Sequence, residues 1–233
     1  MKSSQLIVAF DQQTNLHECL SLVDRIGPLL SFVKIGSIAF SAMGPSILKE
    51  MHARGLNIFL DLKYHDIPNT VSQAIDKVTD HAPLSFISLH GVGGKEMIES
   101  SRSLLEKKFA SNRPFLLAIT ILTSLHEKQL HDFGFDSNLS MVEMVKAIGK
   151  KSVDAGVDGL VCSGFELEML RTSLGSSIAL VVPGIRLTQE THDQKRVMSP
   201  AAAMKQGASH LVLGRAVTES KDPRSTFESL CNM

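Results

Sequence analysis

Apolar residues fall along this chain in short β-branched runs separated by stretches of helical spacing. The runs are "QLIVAF" (5–10), "SFVKIG" (31–36), "NIFLDLK" (57–63) and "SFISLHG" (85–91), followed by "FLLAITIL" (115–122), "DGLVCSG" (158–164), "IALVVPG" (178–184) and "HLVLG" (210–214). Each predicts a strand, because runs of four to eight such residues bounded by turn formers fit a buried strand. Between them the spacing predicts helices. "NLHECLSLVDRIGPLL" sets Leu16, Leu20, Val23 and Ile26 on one face, and "MVEMVKAIGKKSVDAG" does so with Met141, Val145, Ile148 and Val153. The intervals 164–178 and 184–210 show weaker helical patterns.

Strands that are apolar throughout, alternating with helices, indicate a parallel sheet covered on both faces. Eight such units in 233 residues predict one (β/α)8 (TIM) barrel domain spanning 1–233. A doubly wound open sheet is the alternative, but it uses fewer strands and needs a crossover point. No Gly/Ser/Pro-rich linker, low-complexity run or repeat divides the chain.

A barrel of this kind gathers its chemistry at the C-terminal ends of its strands. Those ends read, in order, Asp11, Lys34, Asp61 with Lys63, and His90, then Thr120 and Thr123, Ser163, Arg186 and Arg215. Asp61 and Lys63 stand two apart and so face one side of their strand. With Asp11 and Lys34 on the neighbouring strands they predict an alternating Asp–Lys–Asp–Lys array. Two readings are open: a reactive site, or buried ion pairs that only fix the barrel top. Such pairs are weak stabilisers, which favours the first.

The acids around Lys63 decide what kind of lysine it is. A Schiff-base lysine sheds its proton in apolar or cationic surroundings, whereas carboxylates within about 4–6 Å hold the ammonium charged. One pair at 4 Å is worth about 4 kcal/mol at an effective dielectric near 20, before desolvation. Lys63 is therefore suited to stabilise a nascent carbanion and to donate a proton to it. The ends of strands seven and eight are the usual phosphate seats of such barrels. Gly214, with Arg215 and Arg186, predicts an anion site there. Two long segments, "TSLHEKQLHDFGFDSNLS" and "RLTQETHDQKRVMSP", are candidates for lids.

Composition narrows the function classes. Lys and Arg number 24 against 24 Asp and Glu, which excludes the basic excess of a general nucleic-acid binder. No run approaches the roughly 20 apolar residues of a membrane span. The opening "MKSSQLIVAFDQQ" is too short in its apolar run for a signal peptide. Cys19, Cys162 and Cys231 share no metal-like spacing and read as free thiols in a reducing, cytoplasmic setting. His17, His52, His81, His126, His131 and His210 read as packing or surface residues, while His65 and His90 lie near the expected site.

The segment "FLDLKYHDIPNTV" (59–71) closely resembles the signature of the orotidine 5′-phosphate decarboxylases, which make UMP from OMP. The resemblance extends over nearly the whole chain through "VAFDQQT", "FVKIG", "SLHGVGG", "AITILTS", "GLVCS", "VVPGIR", "HDQKR" and "LVLGRAVTES". It implies that Lys63 is the proton donor to C6 of the pyrimidine, with Asp61 and Asp66 its acidic neighbours and Lys34 completing the array. It also implies a homodimer with a shared site, into which Asp66, Ile67 and Thr70 of one chain reach from the partner. Asp11 and Lys34 would bind the ribose hydroxyls, and Thr123 or Ser124 would meet the pyrimidine. Gln194, Gly214 and Arg215 would hold the phosphate, with Arg186 at the base of a closing loop. No metal or organic cofactor is implied. The stretch from Arg186 to Gln194 is about one residue shorter than that family's usual form, and His192 replaces a small residue. Related magnesium-dependent sugar-phosphate decarboxylases and synthases place a metal-binding acid where this chain has Lys34. A catalytically silent phosphate-binding barrel is the remaining alternative.

Overall fold

The structure, a computed structural model, describes residues 1–185 and 198–233. Eight strands run in chain order around a closed barrel: β1 (Leu6–Phe10), β2 (Phe32–Gly36), β3 (Asn57–Tyr64), β4 (Phe86–His90), β5 (Phe115–Ile119), β6 (Gly159–Val161), β7 (Ala179–Val182) and β8 (His210–Leu213). Every neighbouring pair is parallel, and β8 closes on β1 through Leu6↔Leu211, Ile7↔Val212 and Val8↔Leu213. All eight runs predicted from the sequence are strands, and the open-sheet alternative falls.

Alternation along the strands divides the apolar residues into two cores. Leu6, Val8, Phe10, Val33, Ile35, Ile58 and Leu60 face outward to the helices. Ile7, Ala9, Phe32, Phe59, Phe86, Leu117, Val181 and Val212 fill the barrel. The floor is aromatic, with Phe32 and Phe86 rings 5.0 Å apart and His210 set edge-on to Phe86 at 5.0 Å. Gly159 completes that layer from β6, where a Cβ would lie 2.5 Å from the Ala179 carbonyl oxygen. Two residues further up, the same four strands present Lys34, Ser88, Val161 and Val212. The layer is thus polar on the β2 and β4 side and apolar on the β6 and β8 side. That asymmetry fixes which half of the barrel mouth carries charge.

The helices differ from the sequence reading in their buried faces. In the helix Leu16–Ile26 the buried residues are Cys19, Leu22, Val23 and Ile26, while Leu16 and Leu20 pack at the margin of the core. In Met141–Asp154, Gly149 and Ser152 are buried with Met141, Met144 and Val145. Gly149 is small because a Cβ would meet Leu160 at 3.0 Å; counting apolar residues alone misses a face built on close approach. The segment after β5 also holds a short helix, Glu127–Asp132, where a loop is expected. Among the described residues no helix is long and apolar enough to cross a membrane. The three cysteines are free.

His210 sits among the floor aromatics with its Nδ1 buried and without a hydrogen-bond partner among the described residues. Burial pushes its imidazole from 6.5 down to about 4. A base whose folded pKa is depressed loses stability as pH falls below its unfolded value, because the unfolded chain takes up the proton first. Between pH 7 and pH 5 this one residue costs about 1–2 kcal/mol. His210→Phe is therefore expected to lose less unfolding free energy than the parent over that window in urea titrations. Equal losses in the two proteins would remove His210 as the cause.

Candidate active site

The C-terminal mouth of the barrel opens into a cavity of about 770 Å³. Strand ends from opposite halves of the barrel face each other across it. Asp11, Lys34, Asp61 and Lys63 line one side, Gly214 and Arg215 another, and Phe59, Ile119, Val161 and Val212 lie beneath.

Asp11, Lys34, Asp61 and Lys63 form one continuous chain of ion pairs. Lys34 Nζ donates to Asp11 Oδ1 at 2.5 Å and lies 3.3 Å from Asp61 Oδ2, and Lys63 Nζ donates to the same Asp61 oxygen at 2.7 Å. The two inner members, Lys34 and Asp61, are each only 6% exposed. Burial opposes the charge on Lys34, but Asp61 and Asp11 outweigh it and hold the ammonium above the usual lysine range. Burial likewise opposes the charge on Asp61. Lys34 and Lys63, with hydrogen bonds from Lys63 and Ser88, overcome it and hold the carboxyl below the usual carboxylate range. The Asp61 contribution to stability is present above the ordinary carboxylate range and is lost as pH falls through the lowered value. The Lys34 contribution is present below the ordinary lysine range and is lost as pH rises through the raised one. Both centres therefore stay charged across the neutral range.

Local geometry makes the array possible. Leu60 lies opposite Ile87 and Tyr64 opposite Leu89, so four steps along β3 match two along β4. The bulge lets one strand present two charged groups at the mouth while Leu62 and Tyr64 pack against the outer core. Lys63 takes a left-handed backbone conformation, φ 53°, which is unfavourable for a side chain bearing Cβ. Gly36, two residues after Lys34, leaves room for the neighbouring pair. A Cβ there would meet Asp11 Oδ1, with Lys34 Nζ at 3.2 Å.

The remaining expected residues divide into three groups. Thr123, Gly214 and Arg215 line the cavity, and Gly214 caps the short helix Arg215–Thr218. Asp66, Ile67, Thr70 and Ser124 are exposed and lie outside the cavity lining. Asp66 pairs with no lysine among the described residues; its Oδ1 accepts from the Ile67 N–H at 2.7 Å. Ile67 is 66% exposed, a large apolar side chain at the rim. Arg186, His192 and Gln194 lie outside the described residues. Thr120 and Ser163 turn inward to local structure: Thr120 Oγ1 donates to the Val161 carbonyl, and the Ser163 hydroxyl accepts from the Phe165 N–H. His90 stacks obliquely on His65, ring centroids 5.4 Å apart. Burial, with His65 and Lys63 nearby, lowers its imidazole.

Ser88 and Gly36 are site residues that the reading of strand ends missed. Both sit at interior positions, Ser88 two residues above Phe86 and Gly36 two above Lys34, so parity along β4 and β2 was the available signal. Among the described residues no group of three or more His, Cys, Asp or Glu is placed to hold a metal ion. The arrangement offers a fixed cation beside a concave space, with a polar, glycine-backed end across from it.

Comparison with known proteins agrees over nearly the whole chain. A sequence model of the "Orotidine 5'-phosphate decarboxylase / HUMPS family" matches residues 4–230. The orotidine 5′-phosphate decarboxylase of Actinobacillus succinogenes is 41% identical over 228 residues, covering 97% of this chain and 96% of that protein. The protein of the same name from Aliivibrio fischeri is 38% identical over 231 residues, covering 99% and 97%. The crystal structure of orotidine 5′-phosphate decarboxylase from Lactobacillus acidophilus superposes with a TM-score of 0.85 at 32% identity, over 97% of each chain.

Removing the shared carboxylate leaves two ammonium groups facing each other. Asp61→Ala is expected to lose about 3 kcal/mol or more of unfolding free energy at pH 7, the range for breaking a buried pair. A loss below about 1 kcal/mol in urea titration would mean that the lysines turn to solvent and that Asp61 does not hold the array together.

Proposed function

The chain belongs to the orotidine 5′-phosphate decarboxylase / HUMPS family, and we propose that it decarboxylates orotidine 5′-monophosphate to UMP in pyrimidine biosynthesis. The observation that carries this reading is the Asp11–Lys34–Asp61–Lys63 array at the cavity wall. We assign the activity to a single barrel domain working as a cytoplasmic homodimer.

In this mechanism the C6–carboxylate bond of OMP breaks, CO2 leaves and the electron pair stays on C6. Lys63 supports that developing charge and transfers a proton from Nζ to C6, forming UMP; the neutral amine is then reprotonated from solvent. The Asp61 carboxylate holds the Lys63 ammonium in place before the bond breaks, so the stabilising dipoles need no reorganisation. Lys34 and Asp11 meet the ribose hydroxyls. The pyrimidine lies near Thr123 over the apolar layer of Val161, Ile119 and Val212. Gly214 and Arg215 take the phosphate, and we assign Gln194 and Arg186 to substrate binding as well. Binding energy from that remote phosphate would then be available to the chemical step.

The same residues weigh against the magnesium-dependent relatives. The two acids at the ends of β1 and β3 are already hydrogen-bonded to ammonium groups, and Lys34 carries positive charge where a divalent ion would have to sit. Exposed Ile67 and Asp66, at the rim after β3, support the dimer reading. Their exposure leaves both side chains available to a partner's surface.

The first test is the ultraviolet absorbance of OMP on adding purified protein with EDTA present. Loss of the OMP signal is expected; no change from folded protein that binds UMP would leave a silent phosphate-binding barrel. Lys63→Ala is expected to abolish turnover, by at least about a thousandfold, while UMP affinity largely survives. Near-normal turnover in that variant would remove Lys63 from the mechanism. Sedimentation at assay concentration is expected to give a dimer. A fully active monomer would rule out the shared-site roles of Asp66, Ile67 and Thr70.

A further inference from the structure

We infer that Ser88 is a positioning residue, whose single hydroxyl sets both the backbone of Lys63 and the carboxylate of Asp61. Ser88 lies on β4, fully buried, at the one interior polar position of that strand below its end. Its Oγ accepts from the Lys63 N–H at 3.0 Å and donates to Asp61 Oδ1 at 2.7 Å. A hydroxyl offers one donor and two acceptor lone pairs, so the two bonds use it in opposite senses and do not compete.

The need for such a group follows from the bulge. A regular ladder would turn the Lys63 N–H toward β2, as it turns that of Asn57, but β2 ends at Gly36, opposite Asp61, and the register with β4 slips between Leu60 and Tyr64. The amide is left without a ladder partner at the rim of a buried layer, where an unpaired N–H costs about 1–3 kcal/mol. Lys63 also holds φ 53°, and such a conformation persists only where its surroundings determine it. Ser88 supplies the missing acceptor and so fixes the turn of chain that aims Nζ. The other bond of the same hydroxyl satisfies the Asp61 oxygen that does not face the lysines, leaving Oδ2 to Lys34 and Lys63. Rotation of the carboxylate would break three contacts at once. Lys63 and Asp61 are thereby set in one frame, and an error of about 1 Å in such a frame is worth about a hundredfold in rate.

The inference deepens the proposed decarboxylation and rests on it for its kinetic part; its geometric part is independent. The test uses Ser88→Ala, with Ser88→Cys as the near-isosteric variant with a weak donor should the alanine protein fail to fold. Five readouts are taken: kcat and KM for OMP, UMP affinity, the thermal midpoint, hydrogen exchange of the Lys63 amide, and the pH profile of kcat. Expected are a fall in kcat of about ten- to a hundredfold, changes in KM and UMP affinity below about threefold, and faster exchange at Lys63. The acid limb is expected to move to higher pH, because Asp61 loses a hydrogen bond that favours its charged form. The groups facing it otherwise remain as they are: Lys34 from β2, Lys63 from β3, Asp11 from β1 and His90 from β4. Unchanged kcat and unchanged exchange overturn the proposal. So does a parallel loss of kcat, UMP affinity and thermal midpoint, which would make Ser88 a packing residue only. If the parent protein does not turn over OMP, the functional reading fails, and Lys63 exchange alone decides whether Ser88 holds that backbone.

Discussion

A carboxylate carried into a barrel until 6% of it remains exposed is tolerable only with positive charge and hydrogen bonds around it. Asp61 has two ammonium groups on one oxygen and a serine hydroxyl on the other. Most of the special features of this mouth serve that requirement. Lys34 shares its interior layer with Ser88, Val161 and Val212. Gly36 clears space beside the Asp11–Lys34 pair. The β3 bulge brings Lys63 round to the same carboxylate. The four charges cancel, so the array adds no net charge to the interior while keeping a fixed cation at the wall.

The barrel accommodates this by dividing its interior. Below, Phe32, Phe59, Phe86 and His210 make an aromatic floor that excludes water and gives the mouth a firm base. Above, the β1 to β4 side is ionic, while β5 to β8 contribute Ile119, Val161 and Val212 under the cavity. A ligand lying across the mouth would meet charge on one flank and apolar surface beneath. The proposed reaction would use such a division, with a flat ring held over apolar side chains and its developing charge turned toward Lys63. The strain at Lys63 is affordable because the neighbouring outer-core residues, Leu62 and Tyr64, anchor the strand on either side of it.

The strands were legible because parallel barrel strands are buried on both faces and read as continuous apolar runs. The helices were legible in position but less so in orientation. Cys19 and Leu22 displaced Leu16 and Leu20 from the buried face, and Gly149 and Ser152 proved as interior as any valine. Hydrophobic counting cannot recognise a small residue chosen for close approach. The acids and lysines of the site were legible because four charges at three successive strand ends have few structural explanations. Ser88 was not, since a lone serine in an apolar run carries no signal until the interior parity of β4 is known.

The sequence by itself determined the eight-fold βα alternation, the placing of charge at the first three strand ends and the alternating signs of that charge. Those follow from local period and from residue type, which need no partner to be read. Only the tertiary structure decided which Asp61 oxygen faces the lysines, that Lys63 reaches it from a left-handed backbone, and that Asp66 lies outside the array of its own chain. The reason is physical. Each of these depends on the register between β3 and β4 and on which side chain fills the next position around the barrel. That information resides in the closure of the sheet, where residues 25 or more apart in the chain become hydrogen-bond partners.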